Sequence, residues 1–284
     1  MKVIFSRKGF DQSAGGFPSL IFPDGTLFSI PIPSGPYNCT YSRLTFQYQG
    51  ESIAGILNQV TNGKIRRSKQ LQDCDYAGPD QGCHHDPMLF AESNRMVLGP
   101  GKKPEAHLRR QQTAAGDIFL FYGWFRKIAR VNGRWAYVVG ARDMHLIWAW
   151  MTVGSALRLD TAEQIAYALE RFPELSAHPH LVGRWPPPNG VYVSREQARL
   201  PFSEGRCLTD IKDYAGRAKW RLPGCFNQPQ AFTFLTSKIF SPEADEVIVR
   251  YRGYGQEFVL DLDRVRSSGE REHIMQHLND IRIP

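Results

Sequence analysis

The chain has 284 residues, of which 42% are hydrophobic, and its formal net charge is +7 at neutral pH. This apolar content is sufficient for a sizeable core and excludes an intrinsically disordered chain. The longest apolar stretch, residues 145–157, is well short of the about 20 residues that span a bilayer, and the N-terminus lacks a signal-peptide pattern. The five cysteines lack close spacing, which favours reduced thiols, so we expect a cytoplasmic protein without membrane contact.

The net charge lies in the first half of the chain. Residues 1–150 hold 18 Lys and Arg against 11 Asp and Glu, whereas residues 151–284 hold 17 of each. The basic residues concentrate in two groups, Lys64, Arg66, Arg67 and Lys69 in one and Lys102, Lys103, Arg109 and Arg110 in the other. Such groups either neutralise the phosphates of a nucleic acid or nucleotide or form an ordinary solvated basic surface.

The first third of the chain alternates short strand-like runs with turns. The predicted elements are a strand at residues 3–5, a hairpin with strands at 20–22 and 27–30, a strand at 44–49 and a helix at 52–60. The hairpin turn is Pro23-Asp24-Gly25-Thr26, and Asn62-Gly63 is a typical end signal for the helix.

Polar segments and strands alternate in the middle of the chain. Residues 61–84 are polar, glycine-bearing and basic, and residues 99–116, which begin with Gly-Pro-Gly, predict an exposed loop. Three consecutive strands are predicted at residues 117–126, 135–141 and 145–151, joined by turns at 132–133 and 141–143.

The second half adds helices and further strands without a regular βαβ alternation. Its predicted elements are a helix capped by Asp160-Thr161 and ended by Pro173, a stiff connector at 185–190, strands at 191–193, 247–251 and 258–262, and a helix at 269–278. We therefore predict the α+β class, with a mixed, largely antiparallel sheet and a few flanking helices. Residues 1–284 are expected to form a single module, within which 155–190 is the place for a subdomain boundary.

Two cations and a carboxylate follow the first strand directly. Ser6, Arg7, Lys8, Gly9 and Asp11 stand where the strand gives way to a glycine-bearing loop. Loop N–H groups together with positive charge form an anion site, most naturally for phosphate. We expect Asp11 to orient Arg7, to act as a general base or to help hold a metal. The alternative is a surface turn whose ion pair contributes little.

The segment Cys83-His84-His85-Asp86-Pro87 concentrates further reactive groups. With Cys74 it contains competent zinc ligands, but the spacing fits no standard zinc pattern, so no metal site is predicted. We expect His85 and Asp86 to project into a site as an acid/base or hydrogen-bonding pair, because histidine titrates near neutral pH. A structural turn before Pro87 is the alternative.

Residues 116–126 form the most apolar and aromatic strand signal of the chain. Alternation places Phe119 and Phe121 on one face, which we assign to the core, and Trp124 and Arg126 on the other. The second pair predicts either a surface that stacks a base and binds a phosphate or the second face of a central strand.

Near the C-terminus, Gln256 and Glu257 carry polar groups suited to a base edge or to sugar hydroxyls. Ordinary exposed polar residues explain this pair equally well.

Several of these motifs in combination resemble the nucleotide modification associated domain 3 family. The resemblance rests on residues 3–11 with the following Gly15-Gly16, on 21–25, 84–87, 116–126 and 220–223, and on 255–258. It covers the chain to about residue 262 and implies a role in prokaryotic or phage systems that modify bases in DNA. Met88 follows Pro87 where a second acid is expected, which weakens a two-carboxylate metal site.

The combined prediction is a protein that modifies a nucleotide or a DNA base, as a transferase of a group such as a sugar from a nucleotide-sugar donor. Asp11, His85 and Asp86 are its catalytic candidates, and a divalent metal is conceivable but not favoured as a cofactor. The partners are DNA or a nucleotide, with other DNA-modification proteins. The alternatives are a non-enzymatic reader of modified DNA serving a defence or restriction system and a hydrolase of a small phosphorylated metabolite.

Overall fold

A computed structural model describes residues 1–33, 39–66, 76–77, 82–86, 95–183, 185–233, 238–251 and 257–283. The strands are β1 (Lys2–Arg7), β2 (Ser19–Ile21), β3 (Leu27–Phe28), β4 (Gln47–Tyr48), β5 (Glu51–Ser52), β6 (Ile65–Arg66), β7 (Tyr76–Ala77), β8 (Val97–Leu98), β9 (Ile118–Val131), β10 (Arg134–Tyr137), β11 (Met144–Arg158), β12 (Gly190–Arg199), β13 (Lys219–Pro223), β14 (Phe232–Thr233), β15 (Lys238–Glu243), β16 (Glu246–Tyr251) and β17 (Glu257–Asp261). The helices are α1 (Ile53–Thr61), α2 (Lys102–Arg110), α3 (Ala162–Arg171), α4 (Pro179–Val182) and α5 (Ser268–Arg282). Short 3-10 helices lie at Tyr41–Arg43, Pro173–Ala177, Glu204–Arg206, Gly224–Phe226 and Leu262–Arg264.

The long strand β9 organises the main sheet. It pairs in parallel with β1 and β2 and antiparallel with β10 and β11. The sheet continues from β1 to β17 and β14, and from β11 to β12 and β8, through antiparallel pairs. A separate sheet has the order β13-β16-β15. The predicted α+β class with a mixed, largely antiparallel sheet is confirmed.

Alternating side chains give the main sheet two apolar faces. On one face Val3 and Phe5 of β1 and Leu120 of β9 pack in a core shared with β13, β16 and α5. On the other face Ile4 and Phe119 pack in a core shared with β8 and α2. This two-sided burial explains why residues 118–125 are almost uniformly apolar.

Helix α1 covers β2, β3 and β10 in a further core and follows its sequence signals closely. The Ser52 side chain accepts a hydrogen bond from the Gly55 N–H at the N-terminus of the helix. Asn62 ends the helix in the left-handed conformation, with φ of 51°. The buried side chains Ile53, Ile56, Leu57 and Val60 lie at helical spacing and form the apolar stripe of this helix.

The predicted loop at residues 99–116 is wrong, because it contains helix α2. The sequence of this helix is polar, and its buried members include Glu105 as well as Leu108. Arg109 donates to Glu105 at 2.6 Å and to Asp160, next to α3, at 2.6 and 3.0 Å. Because these ion pairs replace an apolar stripe, hydrophobic periodicity does not detect the helix.

The predicted strand at residues 44–49 is shorter than expected. It is limited to Gln47–Tyr48 and follows a 3-10 helix. Within the described ranges, no helix combines the length and apolar character needed to cross a membrane. The single module over residues 1–284 stays a prediction.

Candidate active site

A cavity of about 240 Å³ lies beside the C-terminal end of β1. Its walls come from six parts of the chain: the end of β1 with residues 8–11, Ile32, the segment 82–86, residues 99–101 with the start of α2, α4 with Trp185, and the start of β17. The pairing of Ser6 with Glu257 places the end of β1 and the start of β17 side by side. The sheet therefore gathers groups that are far apart in sequence.

Arg7 and Asp11 line the cavity and form an ion pair. The Arg7 Nη2 atom lies 3.2 Å from Asp11 Oδ2. The other carboxylate oxygen of Asp11 accepts from the Ser13 N–H at 2.7 Å, the Ser13 hydroxyl at 2.6 Å and the Ala14 N–H at 2.8 Å. Asp11 therefore closes the loop after β1 and orients Arg7 at the same time.

Lys8 and Glu257 both line the cavity and lie next to each other. The Lys8 Nζ atom lies 3.8 Å from Glu257 Oε1, which also accepts from the Ser6 hydroxyl at 3.1 Å. Glu257 is fully buried, and its Oε2 atom has no hydrogen-bond partner among the described residues. Burial raises the pKa of Glu257, and the charge of Lys8 opposes this shift in part.

Gly9 brings the backbone close to the neighbouring segment. Its φ is +89°, and a Cβ at this position would lie 2.5 Å from the Ser29 hydroxyl oxygen. A side chain at residue 9 would therefore be strained by the positive φ and would require the Ser29 hydroxyl to move.

Asp86 is buried and surrounded by donors. Its Oδ1 atom accepts from the Gly99 N–H at 3.0 Å and lies 3.6 Å from His178 Nε2, and its Oδ2 atom lies 3.3 Å from His84 Nε2. Burial alone raises the pKa of Asp86, but the contacts with His178 and His84 and the charge of Lys8 hold it well below its usual value. Asp86 is thus a fixed carboxylate.

His180 has its ring held on both sides. Its Nδ1 atom lies 2.6 Å from Asn189 Oδ1, and the Asn189 side-chain amide donates to the His180 carbonyl at 3.1 Å. The indole of Trp185 stacks on the imidazole with centroids 4.1 Å apart and planes at 10°. Burial lowers the pKa of His180 to about 3, so the ring is neutral at physiological pH.

His84, Asp86 and His180 together form a compact group of metal-ligating type. One ligand atom of each, an imidazole nitrogen or a carboxylate oxygen, lies within 4.8 Å of the others. We call these three residues the His–Asp–His cluster. It shares the cavity with Arg7, Lys8 and Glu257.

The structure gathers most of the predicted site residues and separates others from them. Arg7, Lys8, Gly9, Asp11, Asp86 and Glu257 line the cavity, and Ser6 supports it through Glu257. Among the described residues, the lining includes His84 instead of His85. Burial, followed by the charge of Arg199, lowers the pKa of His85 to about 4.

Trp124 and Arg126 lie apart from the described lining of the cavity. The Trp124 indole is buried, and the guanidinium of Arg217 lies 4.2 Å from its ring centroid. Arg126 forms an ion pair with Asp143 at 2.7 Å. The base-stacking role of this pair stays a prediction, and Gln256 lies outside the described residues.

Sequence reasoning gave His180 no role and treated Trp185 only as the start of a stiff connector. The signal that points to them is the pattern His178-Pro179-His180 followed by Trp185, which places two imidazoles and an indole within one short segment. It also assigned the second histidine of His84-His85 to the site, because adjacent residues cannot be told apart without the direction of each side chain.

Comparison with known proteins adds one finding to this geometry. The sequence model of the nucleotide modification associated domain 3 family matches residues 2–261. The same comparisons found no match among curated proteins or among solved structures.

Proposed function

The chain belongs to the nucleotide modification associated domain 3 family, and from this premise we propose that the cavity beside β1 is the active site of a base- or nucleotide-modifying transferase. The observation that carries the proposal is the convergence in one cavity of two cations with a buried carboxyl group of raised pKa. Positive charge suits a phosphate, and the carboxyl group suits proton transfer.

Arg7 and Lys8 are assigned to phosphate binding. Arg7 is held in place by Asp11 at 3.2 Å, so its planar donors are oriented before a ligand arrives. Lys8 Nζ lies 3.8 Å from Glu257 Oε1, which is longer than a hydrogen bond, so its N–H groups can also donate to an anion. Gly101 and Pro104, at the N-terminus of α2, lie on the same cavity, and helix N-termini favour anions.

The size of the cavity restricts the substrate. About 240 Å³ is below the about 300–1,000 Å³ of sites for drug-sized molecules. The space suits one base or one sugar with its phosphate at the rim, and not a length of duplex. A base within DNA would therefore enter after it has been turned out of the stack.

Glu257 is assigned to proton transfer. As a carboxylate it takes the proton from an N–H or O–H of the acceptor while that atom bonds to the donor sugar carbon. The bond from this carbon to a nucleoside diphosphate breaks, and the leaving phosphate keeps the electron pair. The raised pKa makes Glu257 a stronger base than a solvated carboxylate, whereas Asp86 has a lowered pKa and Asp11 is engaged in the loop.

The proposal is tested by nucleoside mass spectrometry on DNA from host cells with the wild-type gene, a deletion or the Glu257→Gln variant. We expect a modified nucleoside in DNA from the wild type and none in DNA from the deletion. In the variant, the rate at which this nucleoside forms should fall by about 10²–10⁴-fold, so its amount in the DNA should be much lower. The matched control is Arg195→Ala, which removes a cation from an exposed strand residue and should leave the product unchanged.

Binding to nucleoside 5′-monophosphates, measured by calorimetry, separates the enzyme from the reader. Lys8→Ala should weaken binding about tenfold or more, because a charge-assisted hydrogen bond is lost. Glu257→Gln should retain binding. Absence of any modified nucleoside together with tight binding to modified DNA would support the reader and overturn the transferase.

A further inference from the structure

The His–Asp–His cluster has the composition of an open metal site. Two imidazoles and one carboxylate are the protein ligands of many catalytic zinc and non-haem iron centres, where the remaining positions are left to water or substrate. In this protein the three ligand atoms lie within 4.8 Å of one another, so a small inward movement of the side chains encloses an ion.

Contacts behind His180 orient it as a ligand. Asn189 donates its side-chain N–H to the His180 carbonyl, which leaves the Asn189 Oδ1 atom as the acceptor for His180 Nδ1 at 2.6 Å. The backbone N–H of Asn189 is bonded to Asp160 Oδ1 at 2.9 Å, so the amide itself is held in position. His180 therefore carries its proton on Nδ1 and presents the Nε2 lone pair to a ligand.

Asp86 is oriented in the same way. The Gly99 N–H at 3.0 Å and His178 Nε2 at 3.6 Å both lie at the Oδ1 atom. The Oδ2 atom faces His84 Nε2 at 3.3 Å. An ion bound between Oδ2 and Nε2 replaces that contact while the contacts at Oδ1 are kept.

The backbone at Gly99 lies close to the imidazoles of His178 and His180. A Cβ on Gly99 would lie 2.5 Å from both His178 Cε1 and His180 Cδ2. The rings of His84 and His180 meet edge to face at 5.3 Å, and Trp185 packs against both. The ligands are therefore positioned by packing before an ion arrives.

We propose that His84, Asp86 and His180 bind one divalent first-row transition metal ion of the zinc, iron or manganese class, with its open positions facing the cavity. The sequence pattern around Cys83 did not predict this site, because the third ligand belongs to α4. The inference is independent of the proposed transferase activity, since it rests on the ligand geometry alone.

The test uses the full-length protein after treatment with EDTA and desalting. Cobalt(II) chloride is titrated and followed by visible absorption, and zinc sulfate is titrated by calorimetry, with bound metal counted by mass spectrometry after gel filtration. We expect one ion per chain, and a loss of affinity of at least about 100-fold in each of His84→Gln, Asp86→Asn and His180→Gln.

His85→Gln is the matched control, because it changes the neighbouring imidazole, which is outside the described lining. This variant should bind cobalt as the wild type does. Circular dichroism checks the fold of each variant, and His84→Gln keeps the test valid if Asp86→Asn fails to fold, because the His84 side chain is partly exposed.

The site would be overturned if the wild type bound neither ion, or if all three ligand variants bound metal as tightly as the wild type. The nucleoside assay is read separately, so the transferase can fail while the metal site stands.

Discussion

Glu257 and Asp86 are two buried carboxyl groups on one cavity, and their surroundings move their pKa values in opposite directions. Burial dominates at Glu257 and raises its pKa, although Lys8 opposes the shift. Burial also acts on Asp86, but contacts with His178 and His84 and the charge of Lys8 outweigh it and lower the pKa. One group is thus suited to carry a proton, and the other to remain an anion that binds a cation.

The absence of a side chain at Gly99 lets His178 and His180 pack close to the backbone. In Gly99→Ala the new Cβ would lie 2.5 Å from His178 Cε1 and from His180 Cδ2, so both imidazoles must move. We expect a loss of about 1–3 kcal/mol in the free energy of unfolding, measured in urea, because the site is overpacked. The same variant should bind cobalt more weakly than the wild type.

The control is Gly205→Ala, where the nearest atom, the Ser203 hydroxyl oxygen, lies 3.8 Å from the new Cβ. Its stability should stay within about 0.5 kcal/mol of the wild type. If Gly99→Ala behaved like this control, the close packing of the imidazoles against residue 99 would be wrong.

At the scale of elements, β9 positions both the cavity and the rest of the sheet. Its first half pairs with β1 and β11, and its second half pairs with β10 through a hairpin turn at Asn132-Gly133. Asn132 has φ of 51° and Gly133 has φ of 79°, the two positive values that a type I′ turn requires. The predicted turn is confirmed, and its geometry matches the twist of the strands.

Gly133→Ala should destabilise this hairpin. No atom lies within 4 Å of the new Cβ, so the cost comes from the left-handed backbone alone. We expect the free energy of unfolding to fall by about 1 kcal/mol, measured as a lower Tm. Gly269→Ala, in the first turn of α5 and also with open space around it, should be neutral or stabilising by up to about 1 kcal/mol. Equal effects of the two substitutions would contradict the turn assignment.

At the scale of the whole molecule, buried neutral histidines link stability to pH. His145 is 2% exposed, and its Nδ1 atom accepts from the Trp220 indole N–H at 3.0 Å. Burial lowers its pKa well below the usual value, and the charges of Arg7 and Arg217 act in the same direction. His145 therefore stays neutral in the folded chain at pH values where it is protonated in the unfolded chain, below about pH 6.5.

Stability should therefore fall as pH is lowered from 7.5 to 5.5. Each such histidine contributes a slope of up to about 1.4 kcal/mol per pH unit below the unfolded pKa. In His145→Gln, which keeps an acceptor for Trp220, the slope from urea unfolding should be smaller than in the wild type. Carboxylates with lowered pKa values, such as Asp210, lose their contribution only at more acidic pH and do not affect this window. An unchanged slope would show that His145 takes up a proton in the folded protein.

Much of the fold could be predicted because its signals are local. Ser52 and Asn62 mark the ends of α1, and Thr161 caps α3. Asn132-Gly133 forms the turn between β9 and β10. Each of these signals acts within a few residues of the chain. Helix α2 could not be predicted, because Arg109 stabilises it through Asp160, 51 residues away. Ion pairs over such distances leave no periodicity in the sequence.

The sequence by itself determined the α+β class, the family, and the placement of two cations and Asp11 at the end of the first strand. The tertiary structure decided the rest of the site: it paired Ser6 with Glu257 across 251 residues, selected His84 for the cavity, and placed His180 beside Asp86. The reason is physical. Strand ends and caps follow from backbone preferences of neighbouring residues, whereas burial and the direction of a side chain depend on which distant segments pack against it.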